Sequence, residues 1–241
     1  MKALHASKGR KSTHQFIAEG PASVLSALTS KKFPVVTLYA TESGASLLPS
    51  KFLSKVVYLS DKVMDAISTV ENSQGVLAIC SNDINENSQA IFTNTELPLI
   101  YCCEVNDPGN LGTIIRTADA LGAAGVLLSP GSADPFSPKV VRATAGSLWN
   151  IPVLRELEVT EAVHEARASG RKIIAADGTG KIKLTEISTP SALWIFGNEA
   201  RGLTKEITSM ADQVVAIPMR GRAESLNLAT AVAITLFHVN S

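Results

Sequence analysis

Apolar residues in this chain gather into short continuous runs, separated by stretches long enough for helices. In the first third, "PVVTLYA" (34–40), "KVVYLS" (55–60) and "GVLAIC" (75–80) read as strands, while 21–30 and 61–70 look helical. Together they predict a small α/β unit. The polar stretch "SNDINENSQAIFTNTELP" (81–98) reads as a connection, which places a boundary near residue 95 and predicts domains 1–95 and 96–241. Further apolar runs follow at 98–105, 125–129, 150–155, 172–176, 193–197 and 214–218, with helix-length material between them. Most do not alternate with polar residues, as expected of strands covered on both faces. The second domain is therefore predicted to be α/β with a parallel sheet.

The segment "GRAESLNLATAVAITLFH" (221–238) closes the pattern. Ala229, Val232, Ala233, Leu236 and Phe237 form one apolar stripe, which Ala231 and Ile234 widen. Such a helix is buried, either under its own sheet or against another subunit. Its opening is polar: Glu224 precedes Ser225, a natural N-cap, and Asn227 falls inside the first turn, where it competes for backbone hydrogen bonds.

Composition narrows the classes. With 241 residues, 45% of them hydrophobic, the chain can build a real core. Lys plus Arg and Asp plus Glu each total 22, so no overall basic excess advertises nucleic acid. Residues 1–32, however, hold six basic side chains against Glu19 alone, a local charge of +5. No apolar run approaches the roughly 20 residues of a membrane span. The start "MKALHASKGRKSTHQ" lacks the apolar centre of a secretory signal, so a soluble cytoplasmic protein is expected. Cys80, Cys102 and Cys103 lie in apolar surroundings and read as small buried residues. His5, His14, His164 and His238 are scattered, and no metal site is expected.

Ligands of open α/β sheets sit at strand carboxyl ends, and three loops there are chemically unusual. "EVNDPGNLGTIIRTADALG" (104–122) packs polar and small residues ahead of a helix bearing Arg116. "WIFGNEARGL" (194–203) places Asn198 and Glu199 at an expected helix start. "AIPMRGRAESLNLATAVAITLFH" (216–238) is the third. Each alone is compatible with an ordinary turn or cap. The dinucleotide and P-loop glycine signatures are missing, and "DGTGKIKL" (177–184) fails their spacing.

Taken together and in this order, "NDPGNLGTIIRTADALGA", "IFGNEARGL" and "IPMRGRAESLNLATAVAITLFH" resemble the three motifs of the SpoU/TrmH family of SPOUT RNA ribose 2′-O-methyltransferases, over residues 97–240. "HQFIAEGPASV" and "NSQGVLAI" resemble the small L30e-like substrate-binding domain of many members. Ala200 and Arg201 depart from common family spellings. The resemblance implies a deep trefoil knot, a homodimer, and S-adenosyl-L-methionine bound near Ala176, Gly197, Ile217, Met219 and Leu226. At Gly197 the missing Cβ would let the ligand approach the main chain.

The resemblance also makes Arg116 the central catalytic residue, with Asn110, Glu199, Ser225 and Asn227 orienting it, the ribose and the loops. Because guanidinium groups in general stay protonated, the implied role is to hold a phosphate and stabilise a developing alkoxide. Candidate RNA grips are Lys139 and Arg142, three apart on one helix face with Ser137 nearby, and the basic start at Lys8, Arg10 and Lys11. The substrate implied is structured RNA, ribosomal in preference to transfer RNA because an extra N-terminal domain is present. Alternatives are a non-catalytic RNA-binding or ribosome-assembly protein that keeps the fold, and an α/β enzyme using another nucleotide.

Overall fold

The computed structural model describes residues 1–83 and 88–241. Internal contacts divide the chain into two units, Met1–Asn85 with Asp134–Asn150, and Glu86–Ala133 with Ile151–Ser241. The first contains α1 (Ser7–Thr13), β1 (Gln15–Glu19), α2 (Pro21–Thr29), β2 (Val35–Ala40), α3 (Glu42–Ala45), β3 (Val56–Tyr58), α4 (Asp61–Ile67) and β4 (Val76–Ser81). Its sheet runs β1-β4-β2-β3, with β4 antiparallel to both neighbours and β2 parallel to β3.

In the second unit, α5 (Ser88–Thr93), β5 (Leu99–Cys102), α6 (Pro108–Ala120) and β6 (Gly125–Leu128) come first. The chain next contributes α7 (Pro138–Ala143) to the first unit. It continues in the second with β7 (Val153–Leu154), α8 (Val159–Ala168), β8 (Ile173–Ala176), β9 (Ile182–Lys183), β10 (Leu193–Phe196), α9 (Lys205–Met210), β11 (Gln213–Ala216) and α10 (Leu228–Val239). The sheet order is β7-β6-β5-β10-β8-β11-β9, and every described pairing is parallel. Four of its strands, β5, β6, β8 and β10, are buried almost throughout, which explains their unbroken apolar runs.

Residues 134–150, expected in the second domain, pack instead within the first unit. The reason is aromatic. Phe136 lies 4.9 Å from Phe16 and 5.3 Å from Phe33, and Trp149 lies 5.8 Å from Phe16, ring centre to ring centre. These four rings form a cluster worth more than its buried area alone. Gly146, at φ +102°, fits beside α2 because a Cβ there would come within 2.3 Å of Ser26 Oγ. Of the connection expected over 81–98, residues 84–87 lie outside the described residues, and 88–93 form α5.

Two expected helix starts also move. Ser225 does not cap α10: that helix begins at Leu228, and Asn227 Oδ1 accepts from the Ala229 and Thr230 amides at 2.9 and 3.3 Å. Asn198 and Glu199 do not open a helix; α9 starts at Lys205 behind the Thr204 cap. On α10, Val232 and Leu236 are buried as expected, but Phe237 is 67% exposed and Ile234 37%.

Arg10, expected to reach RNA phosphates, is only 4% exposed. Its guanidinium donates to the Leu4 and His5 carbonyls at 2.8 and 2.9 Å and pairs with Asp134 at 2.7 Å. All of that bonding is internal, so Arg10 pins 134–150 to the N-terminal elements. Breaking a buried pair leaves a charge uncompensated, so Asp134→Ala should destabilise the protein by about 2–4 kcal/mol in chemical denaturation. Lys8→Ala with Lys11→Ala, both on exposed positions, should stay within about 0.5 kcal/mol.

Candidate functional site

The carboxyl ends of β8, β10 and β11 open into one cavity of about 420 Å³ in the second unit. Each strand hands its chain to a different wall. Beyond β8, Asp177 accepts from the Thr179 amide and hydroxyl at 2.9 and 2.6 Å, folding the "DGTG" turn over the rim. Beyond β10, Asn198 and Gly202 exchange backbone hydrogen bonds at 3.2 and 2.9 Å, so the chain doubles back as a tight loop. Asn198 fixes that loop from inside, accepting from the Ala200 and Arg201 amides and donating to the Glu104 carbonyl at 2.7 Å. Beyond β11, Ile217, Met219 and the segment 224–226 complete the wall.

All five residues expected around the cofactor, Ala176, Gly197, Ile217, Met219 and Leu226, line this cavity, as do Glu199 and Ser225. The reason for glycine at 197 differs from the one expected. A Cβ there would come within 2.3 Å of the Gly202 carbonyl carbon and 2.6 Å of the Leu203 amide. Gly197 therefore lets the loop close on itself, and the ligand surface it provides follows from that closure.

Asn110, at the head of α6, joins the loops that follow β10 and β11. Its amide donates to Glu199 at 3.2 Å, and its carbonyl oxygen accepts from Asn227 at 2.8 Å. Asp107 caps α6 by accepting from the Asn110 backbone amide at 2.7 Å, which sets the Asn110 side chain at the head of that helix. Residues 89 and 117 positions apart thus meet in one hydrogen-bonded row. Arg116 lies further along α6, exposed, and is not part of the cavity lining.

The lining carries Asp177, Glu199 and Glu224 against Arg201, a formal −2. Val215, Ile217, Met219, Leu226, Leu228 and Ala231 supply an apolar side. An acidic rim around an apolar slot of this volume suits a flat aromatic ligand bearing positive charge. Asp177, directly after the apolar run 172–176, and Glu104, inside the run 98–105, carry no distinguishing mark in the sequence; Glu104 sits at φ +46° and pairs with Arg201. Among the described residues no cluster of His, Cys, Asp or Glu could hold a metal. Burial pushes the Cys80 and Cys103 thiols up to about 12, which keeps them neutral.

The expected RNA grips fare unevenly. Lys8, Lys11 and Lys139 are exposed. Ser137, expected beside the RNA, keeps its hydroxyl oxygen buried ahead of α7. Arg142 is partly buried, donates to Thr69 Oγ1, and stands 3.7 Å from the Glu19 carboxylate.

The fold, a parallel sheet with the C-terminal helix packed on α6, is similar to that of solved SPOUT methyltransferases. The chain belongs to the SpoU rRNA methylase family, which it matches over residues 98–237; residues 1–78 match the MRM3-like substrate binding domain. It is 34% identical to the 23S rRNA (guanosine(2553)-2′-O)-methyltransferase RlmP of Bacillus subtilis, over 99% of this chain and 93% of the relative. Its fold is similar to the AdoMet-bound rRNA methyltransferase of Sinorhizobium meliloti, with TM-score 0.87 and 34% identity over 99% of this chain and 91% of that one. It is also similar to the SpoU methyltransferase AviRb of Streptomyces viridochromogenes with AdoMet, with TM-score 0.85 and 27% identity over 99% and 94%.

Asn227 both caps α10 and holds Asn110. Asn227→Ala should lower stability by about 1 kcal/mol, the usual loss for a cap, measured as a fall in the thermal midpoint.

Proposed function

We propose that this protein transfers a methyl group from S-adenosylmethionine to a ribose 2′-hydroxyl of ribosomal RNA. The observation that carries this reading is the row Asn227–Asn110–Glu199 at the edge of the acidic, part-apolar cavity. The names of the relatives support the substrate: RlmP acts on a guanosine of 23S rRNA, and another relative, from Streptomyces viridochromogenes, on a uridine.

In this reading Ala176, Gly197, Ile217, Met219 and Leu226 hold the cofactor, whose sulfonium supplies an electrophilic methyl group when bound. The lining carboxylates favour its positive charge. Methyl transfer needs the ribose oxygen in line with the methyl group, so the chain's main task is positioning. Asn110, Glu199, Ser225 and Asn227 set the loops around the ribose. Arg116 gives fixed positive charge to an adjacent phosphate and to the oxygen as its proton leaves. Lys8, Lys11 and Lys139 add phosphate contacts that carry no sequence information.

The trefoil knot, a homodimer and a cytoplasmic location belong to the same proposal. Ile234 and Phe237, three apart on α10 and both exposed, support the dimer, since an exposed apolar pair on one helix face suits burial against a second copy. Among the described residues no helix is long and apolar enough to cross a membrane.

Arg116→Ala should lose methyl transfer to ribosomal RNA by at least about 100-fold, the scale of losing one preorganised charge donor, with S-adenosylmethionine affinity by calorimetry within twofold. Normal turnover would refute the assignment. Phe237→Glu should sediment as a monomer where the parent sediments as a dimer; an unchanged dimer would remove α10 from the interface.

A further inference from the structure

A second cavity, of about 510 Å³, lies wholly within the first unit. Its walls are the end of β1 at Glu19, the Gly20 turn into α2, the loop 69–74, and Arg142 on α7. Glu19 is a buried carboxylate, 5% exposed, that no step of methyl transfer uses. It accepts from the Ser68 and Thr69 hydroxyls and from the Thr69 amide at 3.1 Å, so it fixes the loop as a wall. It also stands 3.7 Å from Arg142, whose Nη1 donates to Thr69. The guanidinium is thereby held in place by one nitrogen. Its Nε and Nη2 have no hydrogen-bond partner among the described residues, and the side chain remains 32% exposed at the cavity.

The ligand follows from charge and from the fork. Glu19 and Glu71 oppose Arg142, so the lining carries a formal −1, which disfavours a phosphate and favours a neutral partner. Two adjacent N–H donors on a planar group match two adjacent acceptors. Among the purines guanine offers that pair, N7 and O6, whereas adenine presents a donor beside its N7; cytosine offers N3 and O2 but leaves only its amino group as a donor for the rest of the lining. The remaining edge of guanine is rich in N–H donors. Glu71 and the exposed carboxamides of Asn72 and Gln74 supply acceptors elsewhere in the lining.

We infer that this cavity takes an unpaired guanine base of the substrate RNA, with the Arg142 fork on its N7 and O6 and the 71–74 loop on its other edge. This rests on the proposed RNA substrate for the source of the base. Splayed single-stranded bases are the usual means by which proteins read RNA sequence. Arg142, expected from the sequence as a phosphate grip, becomes a base reader.

The test uses the full chain with S-adenosylhomocysteine present to fill the other cavity. Calorimetric titrations compare guanosine monophosphate, its 7-deaza analogue, adenosine monophosphate, inorganic phosphate, and the heptanucleotides AAAGAAA and AAAAAAA. The guanine nucleotide should bind at least about tenfold more tightly than the 7-deaza and adenine forms, phosphate alone should not bind, and AAAGAAA should exceed both AAAAAAA and free guanosine monophosphate.

Arg142→Lys keeps the charge beside Glu19 but removes the fork, and should abolish the guanine preference. Asn72→Ala with Gln74→Ala, on an exposed loop, should weaken it several-fold and carries the test if Arg142→Lys does not fold. Equal binding of all nucleotides, preference surviving the variants, or free nucleotide outcompeting AAAGAAA would overturn the inference. Parallel S-adenosylmethionine titrations separate the two failures: a chain that binds the cofactor without guanine preference loses only this site, and one that binds guanine but no cofactor loses the methyltransferase reading.

Discussion

Asn110 is the side chain on which the site's geometry depends. Its two polar ends engage Glu199 and Asn227, so one carboxamide sets the spacing between the head of α6, the turn after β10 and the cap of α10. Each partner is tied into its own loop. Asn198, next to Glu199, closes the 198–202 turn with its carboxamide oxygen and ties it to the Glu104 carbonyl with its nitrogen. Asn227 spends its oxygen on the helix and its amide on Asn110. Short polar side chains thus tie these loops together at the exposed edge of the site.

Much of the second unit was legible in the sequence. Strands buried on both faces leave unbroken apolar runs, and β5, β6, β8 and β10 read that way. β9, two residues long, and β1, with glutamine and glutamate at its ends, leave no such signal. The placement of 134–150 was hidden for a different reason: the side chains that decide it, Phe136 and Trp149, are single aromatic residues whose partners, Phe16 and Phe33, lie over a hundred positions away. Local pattern carries no record of such packing.

At the site, residue types were legible and local roles were not. Ser225 and Asn227 are both good caps, and only tertiary contacts choose Asn227, because its amide has Asn110 to bind. Gly197 was expected to make room for a ligand, yet the space is used by the Gly202 backbone. Arg10 and Arg142 looked alike as surface cations; burial and the carboxylates of Asp134 and Glu19 turn one into a structural pin and orient the other.

The central claim is that the strand ends of β8, β10 and β11 form one cofactor cavity, with Asn110 tying the loops after β10 and β11 together. Amide hydrogen exchange with and without saturating S-adenosylmethionine tests it most directly. The account predicts added protection in 176–178, 197–202 and 217–228 together, diminished in 197–202 and 217–228 by Asn110→Ala. Protection confined to one segment, or none in any of them, would contradict it.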